Sequence, residues 1–219
     1  MDNWCGTDLW MPPGYEEGRS KFLKRCFQLK FDGGIVEKAL YLFDRFVRDD
    51  EHSWTLDESS YQLGLTVSLM TISKLYEVPN PMTITTISNA SGIDKGLLIW
   101  YEHYILKGAN FMVSKPTISV FYLKFRKVLP PFGFATNNRE QPVAEVLLEV
   151  VLKSKKFAFA RPSAVALAVL HLSISMTTDS SVVYCPYRAL ADRVQGLPTL
   201  EDYELMKHLL FQEVLAMYA

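Results

Sequence analysis

DESSYQLGLTVSLMTISKLY, residues 57–76, is the stretch that decides the fold. Its apolar residues Leu63, Leu65, Val67, Leu69, Met70, Ile72 and Leu75 go nearly all the way round a helix instead of forming one stripe. A helix that is apolar on every side belongs in the middle of a bundle, where neighbours cover all of it. Pro79 and Pro81 stop it, because proline has no amide to continue the hydrogen-bond ladder. The same signature returns once, at Ala164-Val165-Ala166-Leu167-Ala168-Val169-Leu170, inside a helix predicted over residues 162–176.

Amphipathic helices surround both of these stretches. Phe22, Leu23, Cys26 and Phe27 sit at helical spacing in residues 16–29. After the turn Asp32-Gly33-Gly34, the residues Ile35, Val36, Ala39, Leu40, Leu42, Phe43, Phe46 and Val47 cover one broad face of a helix over 34–48. Further helices are predicted at 83–90, 94–106, 116–127, 141–153, 186–194 and 199–218, and only Ser181 to Tyr184 reads as extended. Pro130-Pro131 marks the expected boundary. The expectation is an all-α chain of two tandem helical bundles of about five helices each, an internal duplication. An irregular arm over 1–14, carrying Trp4 and Trp10, precedes bundles over 15–129 and 130–219.

Composition narrows the function. A chain of 219 residues, 49% of them hydrophobic, is long enough for two small domains with sizeable cores. The net charge of −1 gives no electrostatic reason to expect nucleic acid as a partner. Cys5, Cys26 and Cys185 are too few and too scattered for a disulfide scaffold, which favours a reducing compartment, nucleus or cytoplasm. The start, MDNWCGTDLW, lacks the basic and apolar regions of a signal peptide, and the apolar run from Ala164 is too short for a membrane span. Asn89-Ala90-Ser91 matches a glycosylation acceptor, a triplet common by chance.

No catalytic signature emerges. His52, His103, His171 and His208 are isolated from one another, no His/Cys cluster has metal-ligand spacing, and no glycine-rich phosphate loop is present. Neither a metal, a cofactor nor a small-molecule substrate is expected. His171, on the apolar helix, reads as a core histidine bonded to backbone, and Thr71-x-x-Lys74 lacks the serine of a nucleophile motif. The informative residues are charges among apolar neighbours. Asp44 shares a stripe with Leu40 and Val47, Lys74 ends the all-apolar helix, and Glu102 lies between Leu98 and Ile105. Each needs a partner, inside the fold or across an interface. Plainer readings are an Asp44 pair with Arg45 or Arg48, a helix-dipole position for Lys74 and a solvated Glu102.

Taken in order, these residues resemble the cyclin box. Its apolar-Asp-Arg-Phe-apolar element is matched by Leu42-Phe43-Asp44-Arg45-Phe46-Val47, and its Ala-Ser-Lys-x-x-Glu ending by Ile72-Ser73-Lys74-Leu75-Tyr76-Glu77. Val78-Pro79-Asn80-Pro81 supplies the proline turn, and Glu102-His103-Tyr104-Ile105-Leu106 the Glu-x-x-apolar-Leu element. Phe111 and then Lys115-Pro116-Thr117 close the box. The similarity is good over residues 34–121. From residue 141 it is fainter, with Arg161-Pro162-Ser163 resembling the opening of a degenerate second box.

The resemblance implies a cyclin-like fold and a regulatory subunit, not an enzyme, that forms a heterodimer with a cyclin-dependent protein kinase in cell-cycle control. It implies that Lys74 and Glu102 pair with each other and bond to the kinase around its regulatory helix, flanked by Tyr76 and Glu77. Phe111 and Val113 would pack on that helix, pushing it inward to complete the kinase active site. Asp44 would be a structural charge paired with an arginine, which ungapped counting does not supply; Arg19 and Arg25 are the candidates. A tryptophan of the patch that docks Arg-x-Leu peptides has no counterpart, so docking there is not expected. The alternative is a cyclin-fold adaptor of the TFIIB-like transcription-factor type, which holds DNA and protein. Such factors show a basic surface and often a zinc ribbon, and this sequence shows neither.

Overall fold

In the computed structural model, residues 14–49, 57–76, 82–113, 115–129, 140–177 and 185–218 are described, and all regular structure among them is helical. The first unit holds α1 (Tyr15–Gln28), α2 (Gly33–Asp49), α3 (Glu58–Leu75), α4 (Ile84–Ser91) and α5 (Lys95–Gly108). The second holds α6 (Ile118–Val128), α7 (Glu140–Lys153), α8 (Pro162–Thr177), α9 (Pro186–Ala191) and α10 (Leu200–Tyr218), with a 3₁₀ turn at Lys155–Phe157. Local chemistry sets the starts. The side chains of Asp57, Thr83, Asp94 and Thr117 each accept a backbone amide from the first turn of α3, α4, α5 and α6, satisfying donors that have no partner within the helix.

In the first unit α3 is the central helix. It packs against α1, α2 and α5, while α4 packs on α5. Leu65, Val67, Leu69, Met70 and Ile72 are buried, as all-round apolarity predicts, whereas Leu75 at the end of the helix is exposed. Gly64 lets α2 come close: a Cβ there would lie 2.2 Å from Phe43 Cε2, so any larger residue must displace that ring. Phe43 meets Tyr61 edge-on at 5.6 Å, and Tyr61 meets Tyr15 of α1 in the same manner at 5.7 Å.

The second unit repeats the plan around α8, which α6, α7, α9 and α10 surround. Every residue from Ser163 to Leu170 is buried. His171, next along, is half-buried, and its Nδ1 lies 2.6 Å from the Tyr203 hydroxyl of α10. The core reading of this histidine therefore holds, but its partner is a side chain, not backbone. Burial, with help from Lys207, pushes its pKa below the ordinary value, so the ring is neutral.

The division between the units falls between Lys115 and Pro116, not at Pro130-Pro131. Ile118, Tyr122 and Phe125 of α6 are buried in the α8 core, so this helix belongs to the second bundle. Proline interrupts a helix but does not by itself end a hydrophobic core. Pro130 and Pro131, residues 1–13 of the expected 1–14 arm and the extended reading of Ser181 to Tyr184 lie outside the described residues. No described helix is long and apolar enough to cross a membrane.

Candidate functional site

Asp44 projects from α2 into the first core, where Arg19 of α1 meets it. Arg19 Nη1 donates to Asp44 Oδ1 at 2.6 Å and Oδ2 at 2.7 Å, and both side chains are only 4% exposed. The Tyr15 hydroxyl, one turn earlier on α1, donates to Asp44 and accepts from Arg19 at 2.7 Å. Three polar groups thus satisfy one another in a site closed to water. Burial disfavours the Arg19 charge, but Asp44 and Tyr15 outweigh it and hold the guanidinium protonated; burial raises the Tyr15 phenol well above its usual value. The arginine that sequence counting left open is Arg19. Arg25 instead reaches Gln62, Arg45 reaches Asp49 and Arg48 also reaches Asp49.

Lys74 and Glu102 form a pair of the same chemistry in a different setting. Lys74 stands in the last turn of α3 and Glu102 in the middle of α5, and Lys74 Nζ lies 2.9 Å from each Glu102 oxygen. Their side chains are 38% and 18% exposed. Thr71, one turn before Lys74, is buried, and its hydroxyl sits 2.8 Å from Glu102 Oε1 and 3.0 Å from the Val67 carbonyl. That hydroxyl has one proton to give, so its bond to Glu102 competes with the backbone alternative. The sequence contained this contact only as the discarded Thr71-x-x-Lys74 spacing, which puts both side chains on one helix face.

Around the pair, the expected positions divide. Leu75 and Tyr76 follow Lys74 and are exposed, with Lys38 Nζ 4.8 Å above the Tyr76 ring. Phe111 is 60% exposed, its ring 6.4 Å from that of His103, and Met112 beside it is also exposed, while Val113 is half-buried. Ile99 and Trp100 add exposed apolar surface on α5. Glu77 lies outside the described residues. On α1, Lys21 pairs with Glu17 and Glu58.

Among the described residues no group of three or more His, Cys, Asp or Glu side chains could hold a metal ion. Cys26 is buried, and burial pushes its thiol up to about 12, which leaves it protonated and inert at neutral pH. What the arrangement offers is a charged pair on two helices that also carry exposed apolar residues, a composition suited to macromolecular binding.

No family model matches the sequence, and no curated protein matches it by sequence. By structure, the chain is similar to a viral cyclin from herpesvirus saimiri, solved by X-ray crystallography. The TM-score is 0.71 at 14% identity, over 92% of this chain and 84% of that one. At that identity the likeness is one of fold.

Proposed function

We propose that this chain, which has a cyclin-like all-α fold, is a cyclin-type regulatory subunit that binds a cyclin-dependent protein kinase and favours its active conformer. The observation that carries this reading is the half-exposed Lys74–Glu102 pair, with exposed Leu75, Tyr76, Ile99 and Phe111 on or just past the same two helices. The likeness to a viral cyclin supports it.

The chemistry works through preorganisation. Lys74 holds both oxygens of Glu102, so the carboxylate points in one direction before any partner arrives. The ammonium has three protons and the carboxylate about four lone-pair sites, so capacity remains on both for backbone groups of the kinase. Docked apolar surface from the kinase would strip water from the pair and strengthen each bond within it. A kinase helix held against this surface is biased toward the position in which its glutamate meets the ATP-binding lysine. The subunit acts by differential affinity for that state and performs no chemistry itself.

The test is complex formation with a panel of monomeric cyclin-dependent kinases, read together with phosphorylation of a generic substrate. Lys74→Ala and Glu102→Ala are expected to lose both binding and activation. If no kinase binds while circular dichroism shows the helices intact, the reading fails. Binding without activation would retain the interface and reject the activating role.

A further inference from the structure

The end of α5 is wound in an unusual way. The Asn110 amide donates to the Lys107 carbonyl at 2.9 Å and the Phe111 amide to the Leu106 carbonyl at 2.7 Å, the paired bonds of a Schellman cap. Such a cap needs one left-handed residue, and Asn110, at φ 51°, provides it. Phe111 is left-handed as well, at φ 55°. For a bulky aromatic this is an uncommon and unfavourable conformation, which persists only where surroundings impose it. The next amides continue the winding: Met112 donates to Ala109 and Val113 to Phe111, each at 3.0 Å.

One side chain ties this turn to another helix. Arg45 Nε of α2 donates to the Ala109 carbonyl at 3.2 Å, while its Nη2 lies 3.3 Å from Asp49 Oδ2. The Ala109 carbonyl therefore accepts twice, from Met112 within the turn and from Arg45 across the bundle, which uses both lone pairs. Ala109 itself is fully buried. The guanidinium is a rigid planar fork, so fixing one edge on Asp49 aims the Nε–H. The ring that this winding delivers, Phe111, is mostly exposed beside His103.

We infer that Arg45 is a positioning residue that braces the Ala109–Val113 turn against α2 and so holds Phe111 outward, ready for the partner. Strain at Phe111 would otherwise relax by unwinding the turn, and the ring would lose its fixed direction. A partner would then have to order the turn on binding, which weakens affinity. The brace belongs to the free chain; its effect on affinity rests on the proposed kinase-subunit reading.

Two measurements test these separately. In the free chain, Arg45→Ala should speed amide exchange at Phe111 and Met112 by about tenfold, the scale of one lost hydrogen bond, and leave the α3 core amides unchanged. Arg45→Lys, which can reach the carbonyl with one donor but lacks the fork, should fall between. Unchanged exchange at Phe111 and Met112 overturns the brace, whatever binds. In kinase binding, Arg45→Ala should cost about tenfold with Phe111 present and less than about twofold in a Phe111→Ala background, because the arginine acts through the ring. Equal losses in both backgrounds overturn that coupling. If the wild-type chain binds no kinase, the functional reading falls and the exchange data alone decide the brace.

Discussion

Arg19–Asp44 and Lys74–Glu102 join helices of the same bundle through the same kind of ion pair, yet their settings are opposite. The first is closed off from water and completed by the Tyr15 hydroxyl. Its charges are out of a visitor's reach, and losing either one strands the other in a low dielectric. The second is partly solvated, so in the free chain it contributes only about 0–1 kcal/mol. In the proposed function its value lies in what happens when a partner excludes the water. Burial, more than charge, separates a pair closed into the core from one left open at the surface.

The comparison breaks most readily at Asp44. Asp44→Ala is expected to destabilise the first unit by about 3–5 kcal/mol, read as a lower urea midpoint, because Arg19 is left buried and unpaired. A loss below about 1 kcal/mol would mean that water reaches Arg19 and that the two pairs do not differ in kind.

Next in size is the converse case. Lys74→Ala and Glu102→Ala should change stability by no more than about 1 kcal/mol. The same variants should weaken kinase binding by roughly 2–5 kcal/mol, measured by calorimetry. Unfolding as severe as that of Asp44→Ala would make this pair structural too.

Tyr15→Phe sharpens the picture of the buried site. It keeps the ring that meets Tyr61 and removes only the hydroxyl shared by Arg19 and Asp44. A loss of about 1–3 kcal/mol in unfolding free energy is expected, with kinase affinity unchanged.

The smallest effect concerns His171 in the second unit. Its folded pKa is depressed, so the unfolded chain binds the proton more readily and acid favours unfolding. The stability it supports is present above the ordinary histidine value of about 6.5 and is lost as the pH falls below it. Melting curves at about pH 7.5 and about pH 5.5, either side of that value, should show the drop in the wild type and a smaller one in His171→Gln. A variant with the same pH dependence would place its origin in another group.

Much of the fold was legible because helix periodicity is local. All-round apolarity of residues 63–75 and 164–170 identified the two central helices, and Asp57, Thr83, Asp94 and Thr117 stand where caps are needed. Lys74 and Glu102 were found as charges out of place and as parts of a family-like order of motifs. Thr71 was passed over, since a threonine three residues from a lysine has many innocent meanings. The turn at Asn110 and Phe111 carries no glycine, so nothing in its composition announces two left-handed residues.

The amino-acid sequence by itself determined that the chain is all-α, that it has two central helices and that Asp44, Lys74 and Glu102 require partners. Only the tertiary structure decided which arginine Asp44 takes. Four arginines were open to Asp44, and Arg19 won because the packing of α1 on α3 brings that one into the closed core. The tertiary structure likewise moved the boundary to Pro116, by seating α6 on α8. The physical reason is range. A helix follows from hydrogen bonds four residues apart, whereas burial and pairing depend on how helices distant in sequence rotate and cross.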